Sequence, residues 1–482
     1  MSRSQFPLSD SQMQALPAEL RGVLKSVIDF YDAQLTQLRK ENAKLQKRVT
    51  QLETRLSKNS QNSSKPPSSD PAYDKKSDQK KSSGKKRGGQ PGHKRHQRKL
   101  VPVEECKSVQ DFIPEACQHC GEKLSGKDEQ PIRHQVYELP EIVPIIDEYR
   151  LHQLTCPHCN KSTRAPIPAG VPIHHSGPRL VAFSSLMITK FHMSHRKVAL
   201  FLKKYCGIPC STGLPSKYQR LAASSLEVPY RQIETAIQKS EVVHLDETIY
   251  KLLKKVGYLW NAITRDYSLF RLTSSRKKVV AQEILGEDFS GMIITDRYVG
   301  YDWVPILRRQ LCWAHLIRDF KSMAESKHEA SRLVGESLLA SSKVIFENWN
   351  RFKEGKMKRS TLQRKSKVWG REVDAALEEG MENGNNDVGG TCRHIWRRSD
   401  ALWTFIRREN IEPTNNAAER ALRPAIIKRN LSFGVDSESG RQFLERMLSI
   451  IATSEQQNID TYAYLQSTLT AQLTGKPTPK LL

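Results

Sequence analysis

Three acidic residues stand far apart in this sequence, each in a setting that suits phosphoryl chemistry. Asp246 closes the apolar part of EVVHLDET (241–248). Asp296 follows the apolar run of GMIITDRYVGYDW (291–303), and Glu419 lies in TNNAAERALRP (414–424). Carboxylates gathered from distant segments repel one another unless a hard cation neutralises them, and oxygen-only ligation suits Mg²⁺ or Mn²⁺. Two such ions about 4 Å apart activate an attacking oxygen and stabilise a leaving one, which is the chemistry of nucleases and polynucleotidyl transferases. A lone Asp at a strand end is more simply a surface or capping acid, so the reading needs all three. Two local competitors exist. Strand alternation puts Glu247 on the opposite face from Asp246, and Asp302 falls beyond its strand in a short helix.

The elements that must hold these acids can be read from periodicity. EVVHLDET reads as a short strand ending at Asp246, followed by a hairpin of GYLWNAIT and YSLFRLTSS. A helix is predicted over 276–287, then the strand GMIIT, a short helix over 299–307, the strand RRQLCW and the helix AHLIRDFKSMAES. The order β-β-β-α-β-α-β-α is that of a ribonuclease-H-like mixed sheet. In it, Asp246 on the central first strand would bridge the two ions. Asp296, at the end of the adjacent fourth strand, and Glu419, on a returning helix, would each complete one. The catalytic domain then spans 239–325 and 406–450, split by a helical insertion over 326–405 with a Gly/Asn-rich break, EEGMENGNNDVGG. A helical tail occupies 451–482.

The rest of the chain reads as separate modules. In 1–57, Leu24, Tyr31, Leu38, Leu45 and Leu52 recur every seven residues, interleaved with Ile28, Leu35, Asn42, Val49 and Leu56. That is a coiled-coil seam with one polar position, and it predicts a homodimer or higher oligomer rather than a helix packed on the body. Residues 58–99 are too polar to bury a core and form a basic linker. Lys85, Lys86 and Arg87 lie in its phosphate-binding half. Residues 100–176 hold CQHC and CPHC, so Cys117, Cys120, Cys156 and Cys159 are expected to bind a structural Zn²⁺. Two strands within 132–155 would join the pairs. Cys106, His119 and His158 are nearby substitutes, while Cys206 and Cys210 read as core. Residues 177–238 read as helical, in outline a helix-turn-helix with Ser211 capping its second helix, or simply two packing helices.

Composition narrows the partners. Lys and Arg number 77 against 52 Asp and Glu, a net charge of +25, which points to a polyanion such as nucleic acid. No apolar run approaches the ~20 residues of a membrane span, and the N-terminus lacks a secretory core. Nine cysteines, four of them in CxxC pairs, favour a reducing cytoplasm.

HLDET with the later Leu259 and Trp260, ITDRYVGYD, CWAHLIRDF and PTNNAAERALRP resemble the transposases of the insertion sequence 66 family, of the DDE class. The heptad helix, KNSQNSSKPPSSD, KKRGGQPGH and the paired CxxC motifs occur in that family in the same order. The resemblance implies Asp246, Asp296 and Glu419 as the catalytic triad. It implies a bacterial, nucleoid-associated enzyme that binds terminal inverted repeats, frees 3′-hydroxyl ends and joins them to target DNA with accessory proteins of the same element. With chemistry added, it makes Asn415 and Asn416 candidate caps of the Glu419 helix, and Arg420, Arg423, Lys428 and Arg429 candidate phosphate contacts. His315 of CWAH is a supporting group, and Trp313 reads as core. Two other readings compete. One is a ribonuclease-H-like nuclease without strand transfer. The other is an inactive zinc-containing DNA-binding regulator.

Overall fold

The computed structural model describes residues 10–57, 98–432 and 434–481. Lys85, Lys86 and Arg87 lie outside them. In chain order the described elements are α1 (Asp10–Gln14), α2 (Ala18–Ser57), β1 (Gln153–Thr155), β2 (Ser162–Arg164), α3 (Pro178–Thr189), α4 (His195–Tyr205), α5 (Leu214–Ser225), α6 (Glu227–Gln238), β3 (Val242–Leu252), β4 (Lys255–Ile263), β5 (Ser268–Thr273), α7 (Lys278–Leu285), β6 (Met292–Thr295), β7 (Arg309–Leu311), α8 (Trp313–Ala324), α9 (Glu329–Lys353), α10 (Arg359–Glu382), α11 (Asn386–Trp396), α12 (Thr404–Arg407), α13 (Asn416–Leu431), α14 (Glu438–Gln456) and α15 (Thr461–Thr474). The chain is mixed α/β, and it divides into two compact units. One holds the described residues of 98–291 and 417–481, and the other holds the N-terminal helices with 292–416.

The larger unit is built on the antiparallel strands β3, β4 and β5. Contrary to expectation, β3 does not end at Asp246. Burial passes from Val243 and Leu245 on one face to Tyr250 and Leu252 on the other, so the strand runs on and Asp246 lies in its middle. It turns into β4 through Leu253 and Lys254, both left-handed at φ 49° and 63°. Such a two-residue turn normally takes Asn or Gly. Here the following chain holds it. Leu253 N–H donates to Val435 O (2.7 Å), and Val435 N–H donates to Lys251 O (3.0 Å). Gly434, at φ +100°, makes that approach possible, since a Cβ there would sit 2.4 Å from Lys251 O.

One face of these strands carries Tyr250, Leu252, Leu259, Phe270 and Leu272, packed under Leu422 and Ala425 of α13 and Leu444 and Leu448 of α14. The free edge of β5 is closed by α14 side chains. Leu272 N–H donates to Glu445 Oε1 (2.7 Å), Phe270 N–H to Ser449 Oγ (2.9 Å) and Ser268 N–H to Thr453 Oγ1 (3.0 Å). Every second strand residue meets every fourth helix residue. The two repeats nearly match, at about 6.8 Å along a strand and about 6.0 Å along a helix. A bare edge would template pairing with another chain. Helices α3–α6 complete this unit with α14 and α15. The residues expected to form a tail therefore belong to a helical bundle, and α14 crosses the expected boundary at 450. The cap of α5 is Gly213, not Ser211, with Pro215 in its first turn. Tyr218, Ala222 and Ala223 bury α5, whereas α4 exposes Arg196, Lys197, Lys203 and Lys204.

In the smaller unit β6 and β7 are parallel. The short helix expected over 299–307 is two 3-10 turns, Val299–Tyr301 and Ile306–Arg308. Residues 326–405, expected as a helical insertion, contain α9, α10 and α11. The Gly/Asn break shrinks to residues 383–385, because Gly380 lies within α10, where a Cβ would meet Cys392 Sγ of α11 at 2.4 Å. Helix α2 covers the whole heptad stretch, with side chains described through Val49, and leaves Leu35, Leu38, Leu45 and Val49 exposed. No described helix is long and apolar enough to cross a membrane.

The edge closure is open to test. Ser449→Ala strips the buried Phe270 N–H of its acceptor, which costs about 1–3 kcal/mol. Amide exchange at Phe270 should accelerate and the melting temperature should fall. Burial raises the Glu445 carboxyl, against the Leu272 N–H and Arg441, which lower it. Between the ordinary glutamate pKa and that raised value, the folded state binds more protons than the unfolded one, so this group costs stability as pH rises. Glu445→Gln keeps an acceptor for Leu272 and should remove that slope in melts across the acidic range.

Candidate active site

Asp246 is paired directly across the ladder with Asn261, and Asn261 with Phe270. Opposed residues share a face, so Asp246 and Asn261 lie on the face covered by α13 and α14. Asn261 is fully buried, and its Nδ2 donates to Ala418 O at 2.8 Å. Ala418 immediately precedes Glu419, which lies in the first turn of α13. The amide therefore fastens the Glu419 turn to the strand beside Asp246. Within the larger unit, the helix turn that carries Glu419 is thus set against the strand beside Asp246. Glu247 faces the other way, opposite Trp260, and its carboxylate takes an ion pair from Arg276 at 2.6 Å.

Helix α13 is pinned at its other end as well. Arg429 Nη1 donates to Thr248 Oγ1 (3.1 Å) and to Ile249 O (2.6 Å), both on β3. Lys428 Nζ donates to Ile188 O (3.0 Å), and burial pushes its pKa down to about 8. These two cations, expected to meet phosphate, are engaged by the protein's own backbone. Arg420 and Arg423 are exposed on the same helix. Because α13 begins at Asn416, Asn415 occupies the cap position.

In the smaller unit β6 ends at Thr295, and Asp296 follows directly. Its Oδ1 accepts from Tyr298 N–H at 2.9 Å, which fixes the turn out of the strand. Thr295 O accepts from Cys312 N–H (2.8 Å), and Cys312 Sγ accepts from Asn415 N–H (3.0 Å). His315 sits in the first turn of α8, and Trp313 is core, its indole N–H bonded to Leu402 O at 2.8 Å. The competitor Asp302 is claimed by two arginines, Arg309 and Arg398. Burial works to raise its carboxyl, but the hydrogen bonds from Arg398 and Arg309 outweigh this and hold it below the usual range.

Each cysteine pair sits on its own turn. Cys117 N–H donates to Glu122 O (2.8 Å) and Gly121 N–H to Cys117 O (2.9 Å). The second pair repeats this with Cys156 to Lys161 O and Asn160 to Cys156 O, both at 2.9 Å. Backbone N–H groups lower both leading thiols, chiefly that of His119 for Cys117 and that of Cys159 for Cys156. This favours the thiolate that zinc requires. Among the described residues the four thiols are not gathered within ligand distance of one another. The two strands expected over 132–155 do not form beyond the short β1. Pro140 and Pro144 remove ladder donors there. Cys206 is core, as expected, and Cys210 is half-buried.

A profile of the Transposase IS66 family matches residues 175–442, more than half of the chain. The chain belongs to that family. The match contains Asp246, Asp296 and Glu419. A second profile, of a family of unknown function (DUF6444), matches residues 7–99 of this IS66-family protein. Among curated proteins it is 25% identical over 430 residues to Uncharacterized protein y4hP of Sinorhizobium fredii, covering 80% of this chain and 76% of that one. It is 24% identical over 323 residues to Uncharacterized protein y4qI of the same organism, covering 60% of this chain and 58% of that relative's length. Membership makes DNA the expected partner class and divalent metal the expected cofactor class of this transposase family. The oxygen donors of Asp246 and Glu419 fit such a metal.

Asn261 was not singled out by sequence reasoning. The one available signal is an amide flanked by Leu259, Trp260, Ala262 and Ile263, where an unsatisfied polar group would be costly.

The arginine clamp on Asp302 yields a prediction. Asp302→Asn leaves the buried Arg309 guanidinium without its counter-charge. The loss is roughly 2–3 kcal/mol, discounted because Asp302 is partly exposed to solvent. Because the folded pKa is lowered, the wild-type contribution is present above the usual aspartate range and lost as pH falls through the folded value. Melting curves of D302N and wild type should therefore converge in acid.

Proposed function

We propose that this protein is a DNA transposase with a ribonuclease-H-like catalytic domain. In this reading it binds the terminal inverted repeats of an insertion sequence, cleaves to free 3′-hydroxyl ends and joins them to target DNA. Asp246, Asp296 and Glu419 would be the residues that hold two Mg²⁺ or Mn²⁺ ions. The ions, when bound, supply activation of the attacking oxygen and neutralisation of the leaving one. The protein's own part is positional. The Asn261 bond to Ala418 supports the reading most directly, because it sets the Glu419 turn beside the Asp246 strand within one unit. Arg420 and Arg423 contact phosphate from the exposed side of α13, and the basic linker with Lys85, Lys86 and Arg87 adds contacts that do not read sequence.

Two further parts belong to this reading. The cysteine turns at Cys117/Cys120 and Cys156/Cys159 bind zinc, which requires the turns to approach one another. The donor chemistry fits, whereas the present spacing does not. The exposed seam of α2 pairs with a second copy of the chain, giving a dimer or higher oligomer. The enzyme acts in the cytoplasm on bacterial DNA, with proteins encoded beside it as candidate helpers.

Asp246→Asn should reduce divalent-dependent cleavage of terminal-repeat DNA to background while leaving DNA binding near wild type in gel-shift titrations. Cleavage at the wild-type rate would exclude the triad. Supplying pre-cleaved ends separates a transposase from a plain nuclease, since only a transposase forms the joint product. Replacing Leu35 and Leu45 together with Glu should convert the oligomer to a monomer by light scattering, because charges would then occupy the seam.

A further inference from the structure

The carboxamide of Asn261 is half satisfied. Its Nδ2 donates to Ala418 O at 2.8 Å, and its Oδ1 is buried with no hydrogen-bond partner among the described residues. The residue is fully buried in the central strand of the three, directly opposite Asp246. The bond to Ala418 uses only the donor end of the amide. Its neighbours on the same face, Leu259 and Phe270, are apolar, and leucine fills such a position without orphaning an acceptor. A buried acceptor left open opposite an acid is what a donor arriving with a ligand would complete.

We infer that Asn261 is a positioning residue for the divalent-ion site. Its Nδ2 fixes the first turn of α13, so that Glu419 is presented on the face carrying Asp246, and its Oδ1 accepts from a water molecule of the bound ion. This rests on the triad reading above and adds to it a residue that carries no charge. Outer groups of this kind orient the ligands of a metal and tune its affinity.

The test is Mn²⁺ binding to the full-length protein, read by the electron paramagnetic resonance signal of the free ion, with no DNA present. Asn261→Ala should weaken binding by roughly 10–100-fold. Leu422→Ala serves as the control. It loosens the same helix against the same sheet through the apolar contact alone, so it should lower the melting temperature while changing Mn²⁺ affinity little. Asn261→Ser, which keeps a donor and an acceptor on a shorter arm and leaves a smaller hole, should fall between wild type and Asn261→Ala, and it stands in should the alanine variant not fold. Wild-type affinity in both Asn261 variants would overturn the inference and leave the triad untouched. Equal weakening in Leu422→Ala would also overturn it, by reducing Asn261 to a packing contact. Undiminished Mn²⁺ binding in Asp246→Asn would remove the triad reading and this inference with it.

Discussion

Asp246 lies on the sheet face that α13 covers, and Glu419 lies in the first turn of that helix; like charges repel as they approach, so something other than the acids must hold the turn in place. The larger unit meets this constraint with a neutral hydrogen bond. Asn261 reaches from β4 to the carbonyl of Ala418 and holds the helix turn that bears Glu419. The bond is buried, so it is not weakened by competing water, and its cost falls on the amide's other end, which stays open. Around it, Leu422 and Ala425 press α13 onto Tyr250, Leu259 and Phe270. Ala418, Leu422, Ala425 and Arg429 recur at helical spacing and form the stripe that meets the sheet.

The same helix is fastened at its far end, and this changes the meaning of two cations. Arg429 bonds to β3 at Thr248 and Ile249, and Lys428 bonds to α3 at Ile188. With both ends tied, α13 has little freedom to shift along the strands. Arg420 and Arg423, on the same helix, remain exposed. The α14 side chains serve the sheet similarly, by satisfying the edge N–H groups of β5 that would otherwise invite another strand.

Much of this was legible in the sequence because hydrophobic period reports burial. The alternation in GYLWNAIT and YSLFRLTSS marks β4 and β5, and the heptads of 20–57 mark one long helix. What escaped was set by contacts between distant segments. The full length of β3 is hidden because its buried face switches after Asp246, from Val243 and Leu245 to Tyr250 and Leu252, so no single period spans the strand. Leu253 and Lys254 carry no turn signature, since the approach of Val435 holds their backbone. Strands expected between the cysteine pairs failed because alternation is shared by proline-containing chain that makes no ladder. Asn261 reads as a poor strand residue until its partner, 157 positions away, is known.

The most direct measurement is anomalous scattering from a crystal of the protein soaked in Mn²⁺. The account predicts two peaks about 4 Å apart, both within ligand distance of Asp246, one completed by Asp296 and the other by Glu419. Ordered Mn²⁺ bound only elsewhere, or a folded structure holding any of these three carboxylates out of reach with no movable segment to bring it in, would contradict it.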